Sequence, residues 1–282
     1  MIDRRRPTIA LPLAVGVALL ALAATMSAAL AQEGVPELDP SDEPIEITAD
    51  GGIEWNREAR TYAARGNAEA RRGALSVHAD ALVAHYRERD DGRTEVHLIE
   101  ALGHVKIASE TVTVTGDRAE YDVAGRTAVV TGEDLKLVTD ADVITARDRL
   151  TYSSTTREAV AEGEVVVLRD KRKLEADKIT ARLAKGAEGK LELDTAEAEG
   201  NVRITTEREF VSADRGTYDA KRQFAVLTGG VKVTQNQNQL DGEYAEIDLK
   251  NGVSRMLGAP PGQGSGKVRG LVLPGAKPTV GN

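Results

Sequence analysis

A strand–turn–strand pattern recurs through most of the 282-residue chain. Its fullest copy, LSVHADALVAHYRERDDGRTEVHLIEALGHVKI, spans residues 75–107. We call the segment before the turn the first arm and the segment after the turn the second arm. The second arm contains the pattern apolar-Gly-x-apolar-x-apolar. The second-arm glycines are spaced by 37, 29, 31, 37, 29 and 29 residues, at Gly66, Gly103, Gly132, Gly163, Gly200, Gly229 and Gly258. Such a period predicts stacked hairpins that share one core.

The apolar positions of the first arm change parity partway along the strand. Val77 and Ala79 share one parity, whereas Leu82 and Tyr86 have the other. Because side chains alternate along a strand, we expect an extra residue in the first arm, beside Asp80, as a bulge where the strand bends into a facing sheet. The predicted fold class is all-β, an elongated, slightly open antiparallel β-jelly roll built from repeated bent hairpins.

Composition agrees with a thin core and excludes several functions. Aromatic residues make up 3% of the chain, which suits short strands better than a large aromatic core. There is no cysteine, which excludes thiol catalysis, disulfides and cysteine-based metal sites.

The ends of the chain differ from its repeated part. Residues 1–31 join three arginines to an apolar run that ends in Ala-Leu-Ala, which predicts a signal peptide cleaved after Ala31. An uncleaved membrane anchor is the alternative. The acidic, proline-containing residues 32–44 are predicted to be a flexible leader, 45–257 the jelly roll, and 258–282 a Gly/Pro-rich disordered tail in which KVRGLVL can dock as a strand.

Cleavage would remove three arginines and Asp3, so the formal net charge would change from −8 to −10. An acidic exported protein is a poor nucleic-acid binder.

Acidic residues recur at the predicted bends: Asp50, Asp80, Asp117, Asp148, Asp177, Asp214 and Glu243. They could bind calcium or act as an acid–base pair, or they could hydrogen-bond the backbone of each bend. We favour the second interpretation, because a role repeated in every hairpin is architectural.

The sequence contains no pattern typical of a catalytic or metal site. The four histidines, His78, His85, His97 and His104, lie in one hairpin, where His78 and His85 have opposite parity. The repeated glycines precede strands, whereas phosphate loops precede helices. We therefore predict no enzyme activity, no catalytic residue, no metal site and no cofactor.

The remaining functional feature is the predicted inner face, which suits acyl chains if the two sheets stand slightly apart. A closed core is the simpler interpretation for any one of its residues. The candidate lipid-binding positions are Val77, Leu82, Val105, Ile107, Val112, Val114, Leu135, Leu137, Val165, Val167, Leu174, Ile179, Val202, Ile204, Val211, Val231 and Val233.

These repeats resemble a known family. LSVHADALVAHY with ALGHVKI, VTVTGDRAEYD with VVTGEDLKL, KLEADKITA with AEGNVRI, and FVSADRGTYD with TGGVKV are similar to the OstA-like repeats of the periplasmic lipopolysaccharide-transport proteins of the LptA–LptC family, and most similar to the LptA type. The resemblance covers roughly residues 45–257. The extra glycine in ADGGIEW and Arg147, at a position where the repeat predicts Ala, depart from it.

The resemblance implies a periplasmic bridge that holds the acyl chains of lipid A and passes lipopolysaccharide from an inner-membrane extractor to an outer-membrane translocon. Implied partners are LptC-like and LptD-like OstA domains and further copies of the chain, joined head to tail through edge strands. If each of the seven hairpins adds one strand spacing to the stack, the folded body is about 35 Å long. A membrane-anchored LptC-like partner of the same pathway and an exported β-solenoid enzyme acting on polysaccharide are the alternatives.

Overall fold

The computed structural model describes residues 44–90, 92–186 and 191–272. Every regular element in these ranges is a β-strand, and the strands pair antiparallel throughout. The strands are β1 Glu46–Thr48, β2 Ile53–Asn56, β3 Thr61–Arg72, β4 Leu75–Glu88, β5 Thr94–Ala108, β6 Val112–Asp122, β7 Thr127–Thr131, β8 Leu135–Thr139, β9 Val143–Ala146, β10 Arg149–Ser153, β11 Glu158–Arg169, β12 Arg172–Lys185, β13 Leu191–Thr205, β14 Glu209–Asp219, β15 Phe224–Gln235, β16 Asn238–Asp248, β17 Val253–Leu257 and β18 Arg269–Leu271.

Each long strand contributes one half to each of two sheets. This is clearest where the strands are split, because β7 pairs with β10 and one half of β6, while β8 pairs with β9 and the other half of β6. The predicted all-β jelly roll of bent hairpins is confirmed.

The bulges lie in the second arms, so their predicted place in the first arms is wrong. Gly103 and His104 of β5 face the single Asp80 of β4 on one side and the single Asp117 of β6 on the other. Both bulge residues have positive φ, at 76° and 45°. The first arm changes parity where the strand turns the corner, because two residues instead of one, Asp80 and Ala81, separate consecutive buried positions.

One continuous core runs between the two sheets. It consists mainly of alanine, valine, leucine and isoleucine from β3 to β16. Small side chains allow the sheets to approach closely, which is why so few aromatic residues suffice.

Within the predicted disordered tail, 258–282, the described residues 258–272 include a strand, while residues 273–282 lie outside the described part of the chain. β18 pairs with β16 beside β17, so these two short strands together form one interrupted edge strand. Residues 258–268 leave the sheet between them, and the backbones of Gly258 and Gly266 meet at the base of this excursion. KVRGLVL therefore contributes a strand at 269–271, and the structured part extends beyond residue 257.

The predicted length of about 35 Å is too short. Both arms of every hairpin stack along the roll axis, and the described strands occupy fourteen successive positions when each split strand counts once. At about 4.8 Å per strand, the roll is about 60 Å long.

The predicted signal peptide and almost all of the predicted leader lie outside the described residues. Within the described ranges, no helix has the length and apolarity needed to cross a membrane.

Candidate functional site: an apolar interior with a charged rim

The structure brings the predicted lipid-binding positions into one interior. All of them except Val112 belong to the continuous core or pack against it. Val105, Val165, Val202, Val211 and Val231 are fully buried there. The inner face is therefore aliphatic along its length, but its side chains touch one another, so a ligand must separate the sheets to enter.

The acids at the corners bind the bulges. Asp80 lies 2.8 Å from Nδ1 of His104, and Asp177 accepts a hydrogen bond of 2.8 Å from Nδ2 of Asn201. A Cβ on Gly103 would overlap the Asp80 carboxylate, so the acid occupies the space that the glycine leaves. These contacts explain why an acid recurs in each hairpin, and they turn the carboxylates away from the interior.

Arg147 does not face the interior either. It is exposed and pairs with Asp148 at 2.8 Å and Glu164 at 2.5 Å, while Ala146 takes the buried position. The departure from the repeat at Arg147 therefore leaves the interior aliphatic.

The four histidines lie outside the interior, and their side chains do not converge as metal ligands would. His85 contacts Glu100 at 2.6 Å, and the rings of His85 and His97 are 6.4 Å apart. Among the described residues, no three His, Asp or Glu side chains converge as a metal site would require.

A row of polar residues that the sequence analysis missed forms one rim of the interior. Asp142, Arg169 and Glu209 are buried, at 7%, 5% and 4% exposure, and each lies at the end of an inward-facing alternation. Arg169 donates two hydrogen bonds to Asp142. We call this row the charged rim.

No cation of the described residues pairs with Glu209 in this way. Its Oε1 accepts a hydrogen bond of 3.0 Å from Nε2 of Gln235, and its Oε2 is buried without a hydrogen bond. Burial raises the pKa of Glu209 to about 7, and the charge of Arg208 is the smaller, opposing influence. An unpaired buried acceptor costs about 1–3 kcal/mol. The alternation of Glu209, Val211 and Ala213 was the sequence signal that would have placed this acid inside.

No described residue covers the N-terminal end of the core. Ile53 and Trp55 of β2 are 59% and 52% exposed. Nε1 of Trp55 donates a hydrogen bond of 2.8 Å to Tyr86, its ring stacks on Tyr62 at 5.8 Å, and the guanidinium of Arg57 lies 4.3 Å from it. These contacts hold a large apolar side chain rigidly at the end of the stack.

A shallow cavity lies on the outer surface near the C-terminal edge rather than in the interior. Its lining includes Lys232, Asp241, Glu243, Lys267 and Arg269. Charges of both signs line it, so it offers no simple anion or cation site.

The chain matches the family model described as LptA/(LptD N-terminal domain) LPS transport protein twice, over residues 46–156 and 143–253. The second match begins 97 residues after the first, and Gly66, Gly103 and Gly132 recur at that distance as Gly163, Gly200 and Gly229. The roll therefore consists of two modules that share the first arm formed by β9 and β10.

Among solved structures, the chain is similar to LptH of Pseudomonas aeruginosa, described as the LptA homologous periplasmic component of the conserved lipopolysaccharide transport device. The identity is 18% and the TM-score is 0.40. The similarity covers 47% of this chain and 95% of that one. No curated protein sequence matches the chain.

Proposed function

The chain belongs to the LptA/LptD N-terminal domain family of lipopolysaccharide-transport proteins, and we propose that it is a periplasmic bridge that carries the acyl chains of lipid A between its two sheets. In this role it passes lipopolysaccharide from an inner-membrane extractor to an outer-membrane translocon. It is a transport protein and not an enzyme. The observation that carries the proposal is the unbroken aliphatic interior that runs through both modules.

An acyl chain gains free energy there by leaving water. Each buried CH₂ group contributes about 0.8 kcal/mol, so several methylenes offset the cost of separating close-packed sheets. The small side chains of the inner face, such as Ala79, Ala101 and Ala198, leave room once the sheets part. The charged rim bounds this interior along one side.

Photo-crosslinking tests where the lipid binds. A photoreactive residue in place of Val202, which faces inward, is expected to label lipopolysaccharide, while the same residue at the neighbouring Arg203, which faces outward, is not. Val114 and Thr115 give a second inward and outward pair on β6. Labelling from Arg203 and Thr115 but not from Val202 and Val114 would refute an interior lipid site.

The N-terminal end supports the proposed assembly with OstA-like domains or further copies. Ile53 and Trp55 correspond, 97 residues later, to Leu150 and Tyr152. Leu150 is only 7% exposed, because β7 and β8 of the preceding module cover β10 and β9. β1 and β2 thus have the apolar side chains of a junction, and no strand among the described residues covers them in this way.

This junction predicts how a partner docks. A partner's split edge strand would pair with β1 and β2 as β8 and β7 pair with β9 and β10 inside the chain. Ile53→Lys is expected to weaken head-to-tail association in sedimentation velocity measurements, because it places a charge in the contact. Leu168→Lys is the matched control, since Leu168 is also a large exposed aliphatic residue, at 43% compared with 59% for Ile53, but lies away from both ends. Equal association of both variants would contradict this docking mode.

A membrane-anchored, LptC-like role is the second candidate, because residues 7–31 contain an apolar run long enough for an anchor. N-terminal sequencing of the exported protein separates the two roles. A mature start at Gln32 supports the periplasmic bridge, and a retained N-terminus supports the anchored partner.

A further inference from the structure

Glu209 carries a hydrogen-bond acceptor that the fold does not use. Gln235 satisfies Oε1, and Oε2 is buried with no donor among the described residues. The acid faces inward, on the same face as Val211, and Gln235 faces inward beside Val233. An acceptor in this situation destabilises the protein unless a group beyond the described residues pairs with it.

The chain buries an acid at the equivalent position of another hairpin and satisfies it fully. Asp142 and Glu209 each follow the same turn, in which the residue three places earlier, Thr139 or Thr206, binds their backbone. Asp142 meets the guanidinium of Arg169, whereas Glu209 meets only an amide.

An apolar residue is also accepted at this position. Val112 follows the corresponding turn from Ser109 and pairs with Thr139. Folding therefore does not require an acid at the start of β14. The equivalent residues Val112 and Asp142 give no structural role to an incompletely paired acid at this position.

We propose that Glu209 and Gln235 form a polar subsite on the inner face that binds an uncharged hydroxyl group of an amphiphile whose acyl chain lies against Val211 and Val233. This inference rests on the proposed lipid-carrying function and adds a specific contact to it. In the β14–β15 register, Glu209 pairs with Gln235 and Val211 with Val233. The polar and apolar contacts are thus two residues apart on one face, about 7 Å along the strand.

The chemistry of the subsite selects the ligand group. When the acid is ionised, its free oxygen needs a donor and would repel a phosphate. When the acid is protonated, the same oxygen can donate, and a hydroxyl group, which both donates and accepts, fits either state. The positive charge of Arg208 beside it disfavours an ammonium group. A hydroxyl donates to Oε2 without introducing charge.

Two probes that differ by one hydroxyl test the subsite. Methyl 3-hydroxytetradecanoate and methyl tetradecanoate would be titrated by calorimetry into the full mature chain. The wild type is expected to bind the hydroxylated ester about tenfold more tightly, as a hydrogen bond to a carboxyl group allows.

Variants assign this preference to Glu209. Glu209→Leu is expected to bind both esters equally, and Glu209→Gln, which keeps an acceptor, to retain part of the preference. Glu175→Leu is the control, because Glu175 faces outward on β12 and pairs with Lys173. It is expected to keep the full preference. Circular dichroism melting curves would establish that each variant is folded.

The outcomes separate this inference from the proposed function. Equal binding of both esters by the wild type, or a preference that survives in Glu209→Leu, overturns the subsite but leaves acyl binding intact. Failure of the wild type to bind either ester overturns the subsite together with the apolar interior on which it rests.

Discussion

Asp142 and Arg169 form a bidentate ion pair inside the roll, with Nε of the guanidinium 2.5 Å from Oδ1 of the carboxylate. Both residues are more than nine-tenths buried. The pair joins the start of β9 to the end of β11 and closes the charged rim beside the junction of the two modules.

Removing the cation from this pair is expected to be costly. Arg169→Met leaves the Asp142 carboxyl group buried without its cation, which should lower the free energy of unfolding by about 3–5 kcal/mol in urea titrations. Arg147→Met is the matched control, because Arg147 also contacts two carboxylates but is exposed, and it should change stability by less than about 1 kcal/mol. Similar losses in both variants would show that burial does not decide the contribution of the pair.

Glu209 should make stability fall as the pH rises. Its folded-state pKa of about 7 lies above the ordinary value of 4.5, so the folded state holds the proton more tightly than the unfolded state. This contribution is fully present below pH 4.5, is lost progressively between pH 4.5 and 7, and is absent above that range.

The measurement compares the wild type with Glu209→Gln in urea at pH 4.5 and pH 8.5. The two proteins should be similarly stable at pH 4.5, where both side chains are neutral. At pH 8.5 the variant should be more stable, by at most about 3 kcal/mol. A constant difference across this range would mean that Glu209 is ionised in the folded protein throughout.

Gly103 should tolerate no side chain. Gly103→Ala places a Cβ against the Asp80 carboxylate at a φ of 76°, and we expect a loss of about 3 kcal/mol in urea unfolding. Gly252→Ala is the control, because Gly252 has a φ of 68° and open space around the new atom. Its loss, expected to be only about 1 kcal/mol, reports the cost of the positive φ without a steric overlap. Equal losses would show that Asp80 yields to the new atom.

His104 should titrate above its ordinary range. Its hydrogen bond to Asp80 and the charge of that carboxylate raise the pKa of His104 from 6.5. Asp80→Asn should return the pKa towards 6.5 in an NMR titration of the imidazole signals. Asp177→Asn, the corresponding change in the second module where Asn201 replaces the histidine, should leave the signals of all four histidines unchanged.

The repeats predict most of the fold but misplace the bulge. A parity change in the first arm shows that the strand turns a corner, yet the same change arises whether the extra residue lies in that arm or in its neighbour. The positive φ values of Gly103 and His104 assign it to the second arm. That assignment depends on pairing across strands, which no single strand pattern contains.

The candidate site was predictable in its apolar part only. Alternation placed Val202 and Val211 inside, and the core confirms their position. Asp142 and Glu209 occur at the ends of the same alternations, but acids at strand ends are usually solvated, so their sequence pattern alone does not indicate burial. The structure buries them because the next hairpin covers each one.

The sequence by itself determined the repeated hairpins, the bend in every first arm and the aliphatic inner face, because these follow from the local alternation of side chains. Only the tertiary structure decided how far the roll extends, which strand carries each bulge, and that the last hairpin is completed by residues 269–271 after an excursion. It also decided that Asp142 pairs with a cation while Glu209 meets an amide among the described residues, since both contacts depend on residues 27 and 26 positions away that strand pairing brings together.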